Sequence, residues 1–254
     1  MLPRPAQRSW AGAPTSRSPV RLRRPALPWP FLHGAPRPWR RIAGVLVLLV
    51  ALLVTADPGA PPAAAPQAAP ASASLAEVVR AVPDAVPDLR YATDRNFTAK
   101  ALYPAGARCL LRADVTARLV RAAAQLRRQG LRLRLYDCFR PLSVQRTLWA
   151  RFPRRGFVAD PDHGGSNHNR AAAVDVGLAD PQGGPVELPT EFDAFDARAR
   201  ADAVEGVSEA ARRNRAALRA AMEAAGFRVN RAEWWHYDAP EARGAPLLDA
   251  PLSP

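Results

Sequence analysis

His168 and Asp175 lie seven positions apart in Ser166-Asn167-His168-Asn169-Arg170-Ala171-Ala172-Ala173-Val174-Asp175, and Glu233 and His236 follow nearly sixty residues later in Glu233-Trp234-Trp235-His236. A hydrolytic zinc site uses about three protein ligands and keeps a fourth position open for water. Two imidazoles and one carboxylate meet that count, and Glu233 is left over to take a proton from the water. The set points to metal-assisted hydrolysis of an amide bond. Each residue alone also has an ordinary reading. His168 suits a surface loop rich in Gly and Asn, and Glu233 suits a solvated strand. Asp175, flanked by Val174 and Val176, is harder to explain that way, because an isolated carboxylate is costly to bury.

In an extended segment Glu233 and His236 point to opposite faces. A bulge or a strand end must bring both to one ion, and a conflict of that kind between local pattern and need marks functional sites. Trp234 and Trp235 are bulky enough to wall a metal off from bulk water. The spacing differs from the His-Glu-x-x-His helix of common zinc peptidases.

The elements that must carry these residues can be read from periodicity. Leu110 to Gln129 has apolar residues at helical spacing, and Gly130 stops it. Leu131 to Tyr136 alternates as a half-buried strand. Asp137-Cys138-Phe139-Arg140-Pro141 breaks it, and Ser143 to Arg151 reads as a short helix with Ser143 as its cap. Residues 152–169 form a loop rich in Pro, Gly and Asp. Ala172 to Leu178 reads as a buried strand, residues 181–205 as an irregular acidic insertion, and Ser208 to Ala225 as a helix ended by Gly226. Phe227 to Val229 and Trp234 to Tyr237 read as a final hairpin. The order implies a single α+β domain with a central antiparallel sheet flanked by helices.

The formal charge of +13 is concentrated at the amino terminus, where the first 41 residues carry nine Arg and no acid. Beyond them 27 basic residues face 23 acidic ones, a net of +4, with no basic run interleaved with aromatics. No nucleic-acid partner is therefore expected. Arg40-Arg41 precedes the apolar run Ile42 to Ala56, which at 15 residues is short for a bilayer span and suits the core of a secretory signal. An uncleaved signal anchor, tethering the protein through residues 42–56, is the competing reading. Residues 1–56 thus read as a basic leader plus signal peptide or anchor, 57–74 as an Ala/Pro-rich linker and 75–254 as the folded domain. The protein is expected to be exported, periplasmic or extracellular. In that setting the two cysteines, Cys109 and Cys138, suggest one disulfide closing a loop of about 30 residues, worth ~3 kcal/mol in the chain-entropy picture. Two unpaired buried thiols are the alternative.

The ordered motifs Ser-x-His-(six residues)-Asp and Glu-x-x-His resemble the VanX-type D-Ala-D-Ala dipeptidases, part of a wider group of zinc D,D- and L,D-peptidases acting on cell-wall peptides. The resemblance spans about residues 75 to 240. Arg90-Tyr91-Ala92-Thr93 and Asn96-Phe97-Thr98 are similar to that family's amino-terminal signature. Tyr136-Asp137-Cys138-Phe139-Arg140-Pro141 resembles its Asp-x-Tyr-Arg-Pro segment, with Phe139 in place of Tyr. Its Ser-x-His-x-x-Gly-x-Ala-x-Asp pattern is met at Ser166, His168, Ala173 and Asp175 and broken at Ala171, where Gly is usual. Gly permits positive φ, so Ala171 is expected to be strained by ~1 kcal/mol or to narrow a substrate pocket.

The resemblance implies a zinc site of the hedgehog and D,D-peptidase type, with one zinc on His168, Asp175 and His236. It implies Glu233 as general base and Arg140 as the oxyanion partner, since Arg stays charged and offers fixed donors. Arg140 has a second reading as a partner of Asp137. Ser166, Asp137 and Tyr91 are expected to contact substrate or support the ligands. The acidic stretch Glu187 to Asp202 is a candidate for binding the substrate's amine. The expected reaction is hydrolysis of the D-Ala-D-Ala dipeptide in cell-wall metabolism. The rival readings are a carboxypeptidase acting on longer peptidoglycan peptides and a catalytically silent wall-binding module. The oligomeric state is not legible in the sequence.

Overall fold

The computed structural model describes residues 74–153 and 156–253, so the leader and, apart from Ser74, the linker lie outside the described residues. Strand β1 (Leu75–Glu77) runs straight into a single-turn helix α1 (Val78–Ala81), and β2 (Val86–Pro87) follows. Then come β3 (Leu110–Arg112), α2 (Ala113–Arg127), β4 (Arg132–Asp137), α3 (Leu142–Arg151), β5 (Ala173–Ala179), α4 (Glu209–Ala224), β6 (Arg228–Val229) and β7 (His236–Asp238). β1 and β3 pair as a small antiparallel ribbon, and the other strands form one sheet in the order β2-β4-β5-β7-β6. A single domain mixing two sheets and four helices results, among the described residues.

The expected central sheet is present but is mixed rather than wholly antiparallel, because β2 joins β4 in parallel. The helix expected from Leu110 begins at Ala113 instead. Leu110–Arg112 pairs with Leu75–Glu77, and this backbone pairing, distant in sequence, overrides a locally helical pattern. Ser143 is not a cap. Helix α3 starts one residue earlier, after Pro141, and Ser143 gives both its backbone N–H and its hydroxyl to Asp249. Trp234 and Trp235 lie before β7 rather than in it. Ser208 does cap α4, its Oγ accepting from the Ala211 N–H at 3.0 Å.

Strand β5 is buried at all its seven positions, as a central strand covered on both faces requires. Helices α2 and α4 pack on each other and, through apolar stripes including Leu119, Leu126, Leu218 and Met222, against the sheet. A register shift between Leu135 and Asp137 breaks the β4–β5 ladder at its end. There Asp137 sits opposite Asp175, and Asp175 sits opposite His236 on β7. One lateral row across three strands therefore brings together residues separated by nearly a hundred positions. Among the described residues no helix is long and apolar enough to cross a membrane.

Candidate functional site

His168 reaches this row from a 3-10 turn, Asn167–Arg170, immediately before β5. Ser166 caps the turn: its Oγ accepts from the His168 N–H, while the Asn169 side chain accepts from the Ser166 N–H at 2.8 Å. The turn ends at Ala171 with φ +52°, a left-handed conformation disfavoured for a residue with a Cβ. The positive φ expected at this position is thus present without glycine. Ala171 is buried and does not line the pocket, so its methyl group does not narrow that pocket.

Three ligand atoms converge. His168 Nε2 is 3.0 Å from His236 Nδ1, His236 Nδ1 is 2.9 Å from Asp175 Oδ1, and His168 Nε2 is 3.2 Å from Asp175 Oδ1. Ligands held ~2.0–2.2 Å from a tetrahedral ion are roughly 3.3 Å apart, so this triangle fits one cation with little adjustment. The outer nitrogens fix the tautomers. His168 Nδ1 faces the Cys138 carbonyl at 2.7 Å, and His236 Nε2 faces Asp238 Oδ1 at 3.0 Å. A carbonyl and a carboxylate can only accept, so both outer nitrogens carry hydrogen, and the inner nitrogens become the ligand atoms once His236 Nδ1 gives up the proton it shares with Asp175. A proton on His236 Nδ1 relieves the repulsion among these atoms, and a metal ion at the same spot would replace it. His168, Asp175 and His236 can therefore hold a metal ion.

Burial works to raise the Asp175 pKa, but the charges and hydrogen bonds of His168 and His236 outweigh it and hold the carboxyl well below its usual range. Burial works to lower that of His236, and hydrogen bonds and charge from Asp175 and Asp238 outweigh it and push it well up. Asp238 is itself held by Asn167 Nδ2 at 2.9 Å.

Glu233 lies in the turn before β7, not in a strand, which is how it and His236 come to share one face. Its Oε2 is 4.0 Å from His236 Nδ1 and accepts from Asn230 Nδ2 at 3.3 Å. Burial pushes its pKa up to about 7, with the cationic His236 opposing. Arg140 is buried. Its Nε and Nη2 donate to Asp137 Oδ2 at 2.9 and 2.7 Å, and its Nη1 donates to Gln145 Oε1 at 2.9 Å. Nη2 lies 3.9 Å from Asp175 Oδ2, and the guanidinium sits over the Tyr91 ring at 5.0 Å.

The pocket in front of the triangle has a volume of about 300 Å³. Tyr91, Arg140, Ser166, His168, Asp175, Glu233 and His236 all line it. Asp137 does not. It is fully buried, accepts from the Tyr103 hydroxyl and the Cys138 N–H, and fixes Arg140 from behind the pocket wall. Of the two tryptophans only Trp235 reaches the pocket, while Trp234 points its indole N–H to Thr190 Oγ1. Cys109 and Cys138 form a disulfide.

Four supporting residues were missed by sequence reasoning. Asp238 carried a faint signal, lying two positions after His236 on the same strand face. Asn167, Gln145 and Tyr103 carried none. Asp193, inside the acidic stretch flagged for the amine, is the member that reaches the pocket. Burial and the nearby Asp175 carboxylate push its pKa well up.

Residues 71–252 match a peptidase family described as D-ala-D-ala dipeptidase. The chain is 38% identical over 161 residues to the D-alanyl-D-alanine dipeptidase of Escherichia coli K12, covering 63% of this chain and 82% of that protein. It is 30% identical over 173 residues to the enzyme of the same name from Enterococcus faecalis, covering 59% of this chain and 83% of that protein.

Proposed function

The chain belongs to the VanX-type D-Ala-D-Ala dipeptidase family of peptidases, and from that membership we propose that it is an exported, zinc-dependent enzyme that hydrolyses the D-Ala-D-Ala dipeptide in cell-wall peptide metabolism. The observation that carries this reading is the triangle of lone-pair atoms of His168, Asp175 and His236, set in a small pocket beside Glu233 and Arg140. A zinc ion held there would polarise the scissile carbonyl and make water a nucleophile near neutral pH.

Glu233 takes a proton from the attacking water and later delivers it to the leaving amine. Burial raises its pKa to about 7 in the metal-free protein, and a cation bound beside it would bring that down, keeping the carboxylate ready to accept a proton from water. Arg140 stabilises the oxyanion. Three of the five guanidinium N–H donors are engaged by Asp137 and Gln145, and the rest are available to negative charge developing in the pocket. The Asp137 clamp fixes the guanidinium beforehand, so little reorganisation is needed as charge develops. Ser166 positions His168 through the turn it caps, and Tyr91 forms the floor under Arg140.

The free amine of a dipeptide needs an anionic partner, and we assign Asp193. Burial and the charges of Asp175 and Glu233 work against its ionised form, with Arg140 opposing them; an ammonium group arriving there would favour that form. The loop before β5 contributes Gly156 to Ala159 and Gly165 to Asn167 to the wall, and the insertion contributes Asp193 and Phe195. A pocket bounded by these two loops supports a dipeptide over a longer chain. Export is proposed from Arg40-Arg41 and the apolar run Ile42 to Ala56.

The test is D-Ala release by the purified full chain, made metal-free and then titrated with zinc. Release that saturates at one zinc per chain supports the proposal; equal release without metal contradicts it.

A further inference from the structure

Segment Asp137–Arg140 leaves β4 at the register shift and clasps His168 twice. The Cys138 carbonyl accepts from the His168 ring Nδ1 at 2.7 Å, and the Arg140 N–H donates to the His168 carbonyl at 3.2 Å. The same four residues carry Arg140 and the Asp137 carboxylate that fixes it. The segment lies beyond the regular β4–β5 ladder and is tied to the β1–β3 ribbon instead. The Phe139 N–H donates to the Leu110 carbonyl at 2.8 Å, the Cys109 carbonyl accepts from the Val78 N–H at 2.9 Å, and the Cys109–Cys138 disulfide links the two sides covalently. Residue 138 thus carries both the crosslink, through its side chain, and the acceptor that fixes a metal-binding imidazole, through its backbone.

We propose that the Cys109–Cys138 disulfide positions the metal centre, holding the Cys138 carbonyl where it sets the His168 ring and thereby setting metal affinity. This rests on the metallopeptidase reading. Removing the outer partner of a metal-binding histidine lowers metal affinity by about 10–100-fold, because ring orientation and tautomer are no longer fixed. Both cysteines are at most 3% exposed, so the bond is shielded once the chain has folded, and the oxidation is decided during folding. Making it removes two electrons and two protons from the two thiols. These pass to a small disulfide or a disulfide-exchange protein, as found outside the reducing cytosol. An exported chain would then complete its metal centre only after export.

The experiment compares three forms of the full chain: the oxidised protein, the Cys109→Ala/Cys138→Ala variant, and the wild-type chain refolded in a phosphine reductant. Circular dichroism checks folding, zinc affinity is read by competition with a chromophoric chelator, and the visible absorption of bound cobalt(II) reports ligand geometry. The expected result is that both unlinked forms fold, bind zinc about 10–100-fold more weakly and show an altered cobalt spectrum, with unfolding of the reduced wild-type chain and refolding under oxidising conditions restoring both. Folded, unlinked forms with affinity within about twofold of the oxidised protein and an unchanged spectrum overturn the proposal, leaving the disulfide a role in stability alone. Unlinked forms that fail to fold overturn it too, since the link then holds the fold rather than the site. Substrate turnover is not used, so these outcomes leave the dipeptidase reading standing; an oxidised chain that binds no metal would defeat that reading itself.

Discussion

Replacing Glu233 by Gln removes a proton acceptor while keeping volume and polarity, so it separates chemistry from metal binding. The expected outcome is a fall in kcat of about 10²–10⁴-fold with one metal ion per chain retained, checked by steady-state kinetics and metal analysis. Arg140→Ala should act on two quantities at once. Loss of an oxyanion donor costs about 10²–10³ in kcat. Loss of the guanidinium also leaves Asp137, which has no exposed surface, without its counter-charge. Breaking a buried pair from one side costs ~3–5 kcal/mol, so a lower denaturation midpoint should accompany the kinetic loss. The proton and the metal compete for His236. Asp175 and Asp238 raise its pKa in the metal-free protein, so binding there must release a proton. Apparent zinc affinity should therefore fall as pH drops, by about tenfold per unit while His236 is the protonated competitor. Chelator competition between about pH 6 and 8 checks this, and a flat profile would contradict the assignment of His236 as a ligand.

At the scale of elements, strand β5 and its neighbours were legible and the small pieces were not. The helical stripe ending at Gly130, the alternating Leu131 to Tyr136 and the Ser208 cap are local signals, and they persist within a residue or two in α2, β4 and α4. Leu110–Arg112 misled because its extended form depends on pairing with Leu75–Glu77, which no local pattern announces. The parallel join of β2 to β4 was hidden for the same reason. Within the site, His168, Asp175, Glu233, His236 and Arg140 could be read from residue type and order, while the residues orienting them, Asp238, Asn167, the Cys138 carbonyl and, for Arg140, Gln145, act through folded geometry. The turn at Ala171 gives a further test. Its left-handed backbone costs ~1–2 kcal/mol with a Cβ, which glycine relieves, offset by ~0.5–1 kcal/mol of chain entropy. Ala171→Gly should raise stability by no more than ~1.5 kcal/mol and leave kcat/KM within about twofold, read by thermal denaturation and kinetics. A large gain in activity would instead assign Ala171 a role in damping catalysis.

At the scale of the molecule, charge and composition set context more than chemistry. The net +13 resides mostly in the first 41 residues, outside the described residues, and the remainder of the chain carries only +4. The pocket is small, about 300 Å³, and bounded by the loop before β5 and the insertion after it. Its Asp193 carboxyl, whose ionised form an arriving ammonium would favour, suits a short peptide with a free amine. The measurement that tests this most directly compares kcat/KM of the zinc-loaded full chain on D-Ala-D-Ala, its N-acetylated form and the D-Ala tripeptide, with Glu233→Ala as control. Strong, zinc-dependent release of D-Ala from the free dipeptide is expected, with weak release from the blocked and longer peptides and none in the variant. Preferred cleavage of the longer or blocked peptides would contradict it and make the protein a carboxypeptidase.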